Sequence, residues 1–282
     1  MKRRDFIKIT AAAILSTSAA RNVLAGIEKA DSAQPEENDR GIKDYLHKMH
    51  NFDQPNNNDI YLDKAKLHIL KSSVARLKRL QKTVGHANFY LLNFDEALKI
   101  SRGYSRVGRF SKKEINFLEA IFYKNSSTYG FFGQKPFKNM TSQIRKQEVI
   151  KIPHTGNYLY KGDACSSYSK IQKEIGNTVI LTSGVRSIIK QFLLFLDKAY
   201  RNKGNLSLAS RSLAPPGYSF HGIGDFDVGQ VGFGYDNFTE RFTTTNVFKK
   251  LQKFGYINLR YKENNLLGVR FEPWHIKITN RV

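Results

Sequence analysis

Apolar residues at helical spacing dominate the chain between residues 61 and 150. Apolar residues recur three or four positions apart at Leu67, Leu70, Val74 and Leu77, and Gln81 continues the same spacing. Lysines and arginines lie between them. A repeat near 3.6 residues predicts a helix with one apolar face. A second helix is predicted over 111–123, because Ser111 and Glu114 have the spacing of a capping box ahead of an apolar face. We therefore expect residues 61–150 to form a helical N-terminal region.

After about residue 150 the pattern becomes mixed. The run 177–184, NTVILTSG, is rich in β-formers and ends in a turn, so it predicts a strand. Residues 186–200 are apolar nearly all round, which predicts a buried helix. Residues 201–218 contain Gly, Asn, Ser and a Pro-Pro pair, which indicates a loop.

The last sixty residues combine one helix with several short strands. Residues 244–255 predict a helix that ends at a glycine. Strands are predicted at 225–234, 256–261, 266–271 and 274–278, with a turn at 262–265. The fold class expected for residues 151–282 is therefore α+β, a small antiparallel sheet with flanking helices, preceded by the helical region.

The first 25 residues have the layout of an export signal. Arg3 and Arg4 precede Asp5-Phe6-Ile7-Lys8, and a modest apolar stretch leads to Val23-Leu24-Ala25. The string RRDFIK resembles the twin-arginine signal, which implies export of the folded protein to the periplasm by the twin-arginine translocase. Residues 26–60 are rich in Asn, Asp, Glu and Gln and predict a mobile polar linker.

The charge of the chain favours anionic partners. There are 46 basic and 24 acidic residues, a formal net charge of +22 that is spread along the whole chain. Removal of residues 1–25 would leave 41 basic and 23 acidic residues and a charge of +18. No zinc finger, RNP-type aromatic motif or basic heptad helix is present, so nucleic acid is not an expected partner. Cys165 is the only cysteine, so no intrachain disulfide can form.

Two histidines and three carboxylates near the C-terminus suggest a metal site. Zinc in hydrolases is held by three N or O side chains with a position left for water, and His221, His275 and an aspartate would supply them. The metal lowers the pKa of its water towards roughly 7, and a free carboxylate can carry the proton to the leaving amine. Asp225 and Asp227 share one face of the predicted strand, so either can reach the metal.

The relation between Glu272 and His275 depends on the local backbone. In an extended strand, residues three apart point to opposite faces. Pro273 disfavours regular pairing, and a bend there would turn Glu272 towards the metal. The pattern alone leaves both arrangements open.

Three motifs resemble those of the D-alanyl-D-alanine metallopeptidases, the VanX- and VanY-type zinc carboxypeptidases. SFHGIGDFD at 219–227 resembles their Ser-x-His-x-x-Gly-x-Ala-x-Asp, and EPWH at 272–275 resembles their Glu-x-Trp-His. SGVRS at 183–187 resembles Ser-Gly-Tyr-Arg-Ser, with Val185 at the tyrosine position. The motifs occur in the family's order and cover roughly residues 150–282. The resemblance implies a Hedgehog/DD-peptidase-like fold.

The resemblance also implies roles for individual residues. His221 and His275 match the zinc histidines, and Asp227 matches the third ligand of one Zn²⁺ per chain. Glu272 matches the general base, and Arg186 the arginine that stabilises the oxyanion.

One spacing departs from the family pattern. The family's aspartate follows its histidine by seven residues, whereas position 228 here is valine. We favour Asp227, because Val228 matches the aliphatic residue after the family's aspartate; Asp225 is the alternative.

Three more residues are candidates for the substrate pocket. Ser219 can bind substrate or stabilise its loop, Gln191 lies one helical turn from Arg186 and can support the pocket, and Trp274 can line the site or anchor the core.

These features predict a periplasmic zinc D-alanyl-D-alanine carboxypeptidase that trims terminal D-Ala from peptidoglycan stem peptides with metal-activated water. An L,D-carboxypeptidase or a peptidoglycan endopeptidase would use the same zinc site. A non-catalytic cell-wall-binding protein is the alternative from another class, although a binding module needs no base.

Overall fold

The computed structural model describes residues 35–278, so the predicted export signal at 1–25 lies outside the described residues. The chain divides into two units, Met1–His47 and Lys48–Val282. Helix α1 (Pro35–His50) lies in the segment for which composition predicts a linker. A proline in the first helical position needs no hydrogen-bond acceptor for its nitrogen and has the helical φ, which explains where α1 begins. Among the described residues, none of the helices combines the length and apolar character needed to span a membrane.

Four helices lie between α1 and residue 149, and the two predicted ones are among them. They are α2 (Lys64–Val84), α3 (His86–Phe89), α4 (Phe94–Gly103) and α5 (Lys112–Tyr123). The buried face of α2 contains Leu70, Val74 and Leu77, as predicted, but it continues through Leu80 and not through Gln81. The sequence pattern did not predict α4, which begins with its own capping box.

The sheet is small and antiparallel, as predicted. Strands β3 (Val179–Ser183), β4 (Phe226–Gln230) and β5 (His275–Ile276) pair in the order β3-β4-β5. A separate hairpin consists of β1 (Val149–Lys151) and β2 (Tyr158–Tyr160). Helices α6 (Asp163–Ile175) and α9 (Asn246–Lys253) share an apolar core with the three-stranded sheet. The fold class is therefore α+β.

Two predicted strands, 256–261 and 266–271, are wrong. The first segment runs beside β5, where Leu259 forms an isolated antiparallel bridge with Ile276. Two backbone hydrogen bonds flank this bridge, from Glu272 N to Tyr261 O (3.1 Å) and from Lys277 N to Asn258 O (2.7 Å), but no regular ladder forms. Alternating apolar and polar residues indicate a segment with one buried face. Here tertiary packing covers apolar side chains of these segments, and the backbone does not need to pair as a strand. The predicted loop 201–218 also contains a short helix, α8 (Leu206–Ser210), capped by Asn205.

Helix α7 (Ile188–Arg201) joins the helical region to the sheet region. Its Phe192 and Phe195 lie in one apolar core with Leu70, Leu77 and Leu118 of α2 and α5. Because this core spans both sides of residue 150, the structure has no division at the predicted boundary between 150 and 151. The remaining helical turns are 3-10: Ser126–Tyr129, Lys146–Glu148, Phe220–Gly222, Gly234–Phe238 and Glu240–Thr244.

Candidate metal centre and active site

The three strands of the sheet end at one row of residues. Ser183 on β3 pairs with Asp227 on β4, and Asp227 pairs with His275 on β5. The pairing of β3 shifts between Leu181 and Ser183, as at a β-bulge, and such irregularities redirect the side chains next to them. This register brings together Asp227 and His275, which lie 48 positions apart in the chain.

His221 reaches the same point from the 3-10 turn Phe220–Gly222. Its Nδ1 lies 2.8 Å from the carbonyl oxygen of Gly184, so Nδ1 carries the proton and donates it there. Its Nε2 then presents a lone pair 3.3 Å from Asp227 Oδ2. The backbone at Gly184 lies so close to the backbone of Tyr158 that a side chain would not fit, since a Cβ on residue 184 would lie 2.0 Å from the Tyr158 carbonyl oxygen.

His275 is oriented by the second aspartate of the motif. Its Nε2 lies 3.0 Å from Asp225 Oδ2, while its Nδ1 lies 3.0 Å from Asp227 Oδ1. Asp225 also binds Arg260, with Nε 2.5 Å from Oδ2, and accepts the backbone N–H of Ile278 at 2.9 Å. Asp225 is thus the hydrogen-bond partner of His275, and Asp227 is the carboxylate that faces both imidazoles.

The arrangement of His221, Asp227 and His275 fits a divalent metal. Each offers one ligand atom, all within 4.8 Å of one another, and all three residues are buried. The two imidazole rings are nearly perpendicular, at 86°, with centroids 4.8 Å apart. Asp227 Oδ1 is buried and faces His275 Nδ1 at 3.0 Å, so this carboxylate oxygen and this ring nitrogen can bind the same cation. Two imidazole nitrogens and one carboxylate oxygen are a donor set that suits zinc and leaves a position for water.

The charges of the cluster favour a cation. Burial alone would raise the pKa of Asp227, but the two histidines outweigh it and hold that pKa well below its usual range. Burial lowers the pKa of His221, which keeps its ring neutral. Burial also acts to lower the pKa of His275, but hydrogen bonds to Asp225 and Asp227 raise it to about 10. An imidazole between two carboxylates therefore marks a place where positive charge is stabilised.

Glu272 lies beside the cluster without being one of its three members. A turn through Pro273 and Trp274, closed by the His275 N–H donating to the Glu272 carbonyl at 3.2 Å, brings both side chains to one side. Glu272 Oε2 lies 3.9 Å from His275 Nδ1, and Oε1 lies 4.0 Å from Arg270 Nε. Burial raises the pKa of Glu272 to about 7. A carboxyl group with such a pKa can both accept and return a proton at neutral pH.

Arg186 faces the same cluster from the loop before α7. Its Nη2 lies 3.7 Å from Asp227 Oδ2 and donates to Ser183 Oγ at 2.9 Å. Its Nη1 donates to Gln191 Oε1 at 3.2 Å, and Gln191 in turn donates to the Ala214 carbonyl. Gln191 therefore holds the Arg186 guanidinium in place and is not among the described residues that line the cavity.

A cavity of about 380 Å³ opens over these groups. Ser219 and Trp274, two of the candidates for the substrate pocket, are among the residues that line it, and both are buried. Trp274 packs edge-on against Phe238, with centroids 6.1 Å apart, and its ring lies 4.7 Å from the Arg270 guanidinium carbon. Trp274 thus serves both the core and the cavity wall.

Sequence reasoning missed several residues of the cavity. Tyr261 is buried with its ring centroid 5.2 Å from that of His275, and Phe52 and Tyr90 come from the segment before residue 150. Arg260, which binds Asp225, lies over the Phe220 ring at 3.4 Å. None of these residues belongs to a recognisable motif, so only the tertiary structure shows their positions.

Comparison with known proteins points to one family. Residues 162–280 match the family model described as "VanY: D-alanyl-D-alanine carboxypeptidase". No curated protein is significantly similar in sequence to this chain.

Similar solved structures include three peptidases. LdcB, an LD-carboxypeptidase, is 22% identical with a TM-score of 0.37, and the match covers 52% of this chain and 65% of LdcB, just under two thirds. VanYB in complex with D-alanine-D-alanine is 20% identical with a TM-score of 0.39, covering 51% of this chain and 82% of VanYB. A variant of the vancomycin-resistance D,D-pentapeptidase VanY in complex with Zn(II) is 22% identical with a TM-score of 0.39, covering 54% of this chain and 86% of that one.

The motifs, the α+β fold and the family match agree over the same part of the chain. Residues 162–280 of this chain therefore match the model of the VanY-type D-alanyl-D-alanine carboxypeptidase family.

Proposed function

We propose that this protein is a zinc-dependent D,D-carboxypeptidase that removes the terminal D-alanine from peptidoglycan stem peptides. The observation that carries the proposal is the convergence of His221, Asp227 and His275 on one buried point, with Glu272 beside it. A structural zinc site has four protein ligands, whereas three protein ligands in an accessible cavity are typical of a catalytic one.

The residues of the site have separate tasks in this reaction. His221, Asp227 and His275 would hold the zinc ion, which acts as a Lewis acid and lowers the pKa of water. Glu272 accepts the proton of the attacking water and returns it to the departing amine. Arg186, fixed by Ser183 Oγ, is placed to stabilise the negative charge on the scissile carbonyl oxygen.

The test compares the wild-type protein with Glu272→Gln on a stem pentapeptide that ends in D-Ala-D-Ala. We expect the wild type to release one D-alanine, observed by product mass, and Glu272→Gln to be at least about 100-fold slower because general acid–base catalysis is lost. Both proteins should bind one zinc ion. Glu263→Gln, which changes an exposed carboxylate, is the matched control and should keep full activity.

Other outcomes would identify the alternatives. Equal activity of Glu272→Gln and wild type would remove Glu272 as the base. Release of D-alanine from a tetrapeptide but not from the pentapeptide would indicate an L,D-carboxypeptidase, and cleavage of cross-linked dimers an endopeptidase. Binding of the peptides without turnover of any of them would indicate a wall-binding protein.

We also propose that the protein acts in the periplasm after export by the twin-arginine translocase. The support is the string RRDFIK and the apolar stretch that follows it. A reporter fused behind residues 1–34 should be exported and lose about 25 residues, while replacement of Arg3 and Arg4 by lysine should stop export. Export that survives both replacements would contradict this route.

A further inference from the structure

A second, larger hollow adjoins the active-site cavity. It is a groove of about 870 Å³ between α2 and α7, and it shares Lys190, Leu194 and Lys198 with the cavity. These three residues recur every four positions, so they lie along one face of α7. The groove is therefore continuous with the catalytic centre.

Lys190 is buried and Lys198 is half-buried. The relative exposure of Lys190 is 6%, and its ammonium lies 5.0 Å from the Tyr90 ring centroid. Lys198 donates to Ser212 Oγ and lies 5.5 Å from the Phe52 ring centroid. Within residues 35–278, no salt bridge involves either ammonium. Burial lowers the pKa of each lysine to about 8, with Arg186 adding to the effect at Lys190. At Lys198 the carboxylates of Asp53 and Glu272 act in the opposite direction but do not outweigh burial.

The rest of the groove is basic as well. Lys78, Lys82 and Arg201 line it, and Asp197 is its one carboxylate among the described lining residues. Asp197 is already bound by Lys78 and Arg201, each at 2.5 Å. Lys190 and Lys198 therefore keep a positive charge that no salt bridge among the described residues neutralises, at the place where the groove meets the cavity.

We infer that Lys190 and Lys198 form an anion-binding subsite for a carboxylate that the substrate peptide carries on the N-terminal side of the cleaved bond. The inference rests on the proposed function, because the direction of the peptide in the groove follows from carboxypeptidase activity. A carboxypeptidase has a single residue on the C-terminal side of the scissile bond, so a groove that extends away from the catalytic centre accommodates the longer, N-terminal part of the peptide. The substrate class is then an acidic peptide with a C-terminal D-Ala-D-Ala.

The test uses two peptides that differ only in one upstream residue, glutamate in the first and glutamine in the second. Their dissociation constants are measured on zinc-loaded Glu272→Gln protein, and kcat/KM is measured on the wild type. Because a charge-assisted hydrogen bond to a partly buried ammonium is strong, we expect the acidic peptide to be preferred by about tenfold in both measurements. Lys190→Met and Lys198→Met, each also combined with Glu272→Gln for the binding measurement, should reduce this ratio towards one, while Lys198→Arg should retain most of it.

Lys113→Met is the matched control, because it removes one lysine charge from an exposed position outside both hollows and should keep the preference. The two peptides can also be compared on protein that keeps both lysines, so this part of the test does not depend on whether a lysine variant folds. Equal binding of the two peptides overturns the inference, whatever the turnover. A preference for the acidic peptide that persists in both methionine variants also overturns the inference. The same holds if the lysines bind a soluble polyphosphate but the protein does not discriminate between the two peptides. A preference that depends on the lysines, without hydrolysis, would uphold the subsite and contradict the proposed function.

Discussion

Each histidine of the metal centre has one ring nitrogen engaged by an acceptor and the other facing the cluster. The Gly184 carbonyl fixes His221, and the Asp225 carboxylate fixes His275. Such outer partners determine which nitrogen carries a lone pair and hold the ring in the ligating orientation. Asp225 is itself held by Arg260, so the orientation of His275 depends on two buried charges.

Asp225→Asn tests this dependence. The amide accepts a weaker hydrogen bond and leaves Arg260 without its ion pair, so we expect zinc affinity to fall by about 10- to 100-fold. Affinity is measured by competition with a chromogenic chelator, and circular dichroism checks the fold. Asp236→Asn, which removes a half-buried carboxylate that binds Arg241 at 2.7 Å outside the cluster, is the matched control and should leave affinity unchanged. Unchanged affinity in Asp225→Asn would show that Asp225 does not orient His275.

At the scale of elements, the junction between β3 and α7 holds His221 and Arg186 in place. Gly184 has no room for a side chain, since a Cβ would lie 2.0 Å from the Tyr158 carbonyl oxygen. We expect Gly184→Ala to destabilise the protein by about 2 kcal/mol, in the range of other steric changes in packed regions, and to weaken zinc binding because the carbonyl that fixes His221 moves.

The measurements for Gly184→Ala are urea denaturation and chelator competition. Gly103→Ala is the matched control, because it lies at the end of α4 with no atom within 4 Å of the added Cβ. It should be neutral or slightly stabilising. Equal stability of Gly184→Ala and wild type would show that the β2 backbone yields freely at this contact.

Helix α5 depends on a buried carboxylate at its first turn. Glu114 accepts the Ser111 N–H at 2.8 Å and lies 3.1 Å from Arg76 Nε on α2. Burial acts to raise the pKa of Glu114, but the hydrogen bonds from Ser111 and Arg76 outweigh it and lower that pKa. The folded-state pKa thus lies below the unfolded one, so the carboxylate stabilises the protein above the unfolded pKa, and this contribution is lost as pH falls through the folded pKa.

We expect Glu114→Gln to lower the free energy of unfolding by about 2 kcal/mol at pH 7, because Arg76 loses its buried charged partner. The difference from the wild type should start to shrink below about pH 4.3, the ordinary pKa of glutamate, and should be smallest once pH has fallen through the lower folded-state pKa. Urea denaturation at several pH values measures both effects. Glu119→Gln, at an exposed position of the same helix, should show neither effect. A pH-independent difference would mean that packing, and not charge, supports this end of α5.

At the scale of the whole molecule, the metal would link three separate parts of the fold. His221 belongs to a loop, Asp227 to β4 and His275 to β5. A ligand that binds only the folded state stabilises it by about 2.7 kcal/mol at 100 times Kd. Zinc should therefore raise the thermal midpoint and a chelator should lower it. His275→Ala should abolish the response, and His68→Ala, at an exposed position, should keep it.

A zinc response that survives His275→Ala would place the metal elsewhere. The same scan of the zinc-loaded wild type gives the cooperativity of unfolding. Because one apolar core contains residues of both α2 and α7, we expect residues 48–282 to unfold in a single transition, without a separate step for the helical region.

Much of this protein follows from its sequence, because the relevant information is local. The spacing of Leu70, Val74 and Leu77 determined the buried face of α2, and the Ser111–Glu114 pair determined where α5 begins. The chemistry of His221 and His275 indicated a metal before any geometry was known. Periodicity and ligand chemistry are properties of a residue and its near neighbours, so they can be read without the fold.

The tertiary structure decided what depends on long-range register. The row Ser183–Asp227–His275 selects Asp227 as the carboxylate facing both imidazoles, and the turn after Glu272 brings that residue to the same side. The lysines of α7 became part of a groove only because α2 packs beside them. Contacts between residues far apart in the chain arise from how strands align and helices pack, and no short motif encodes that alignment.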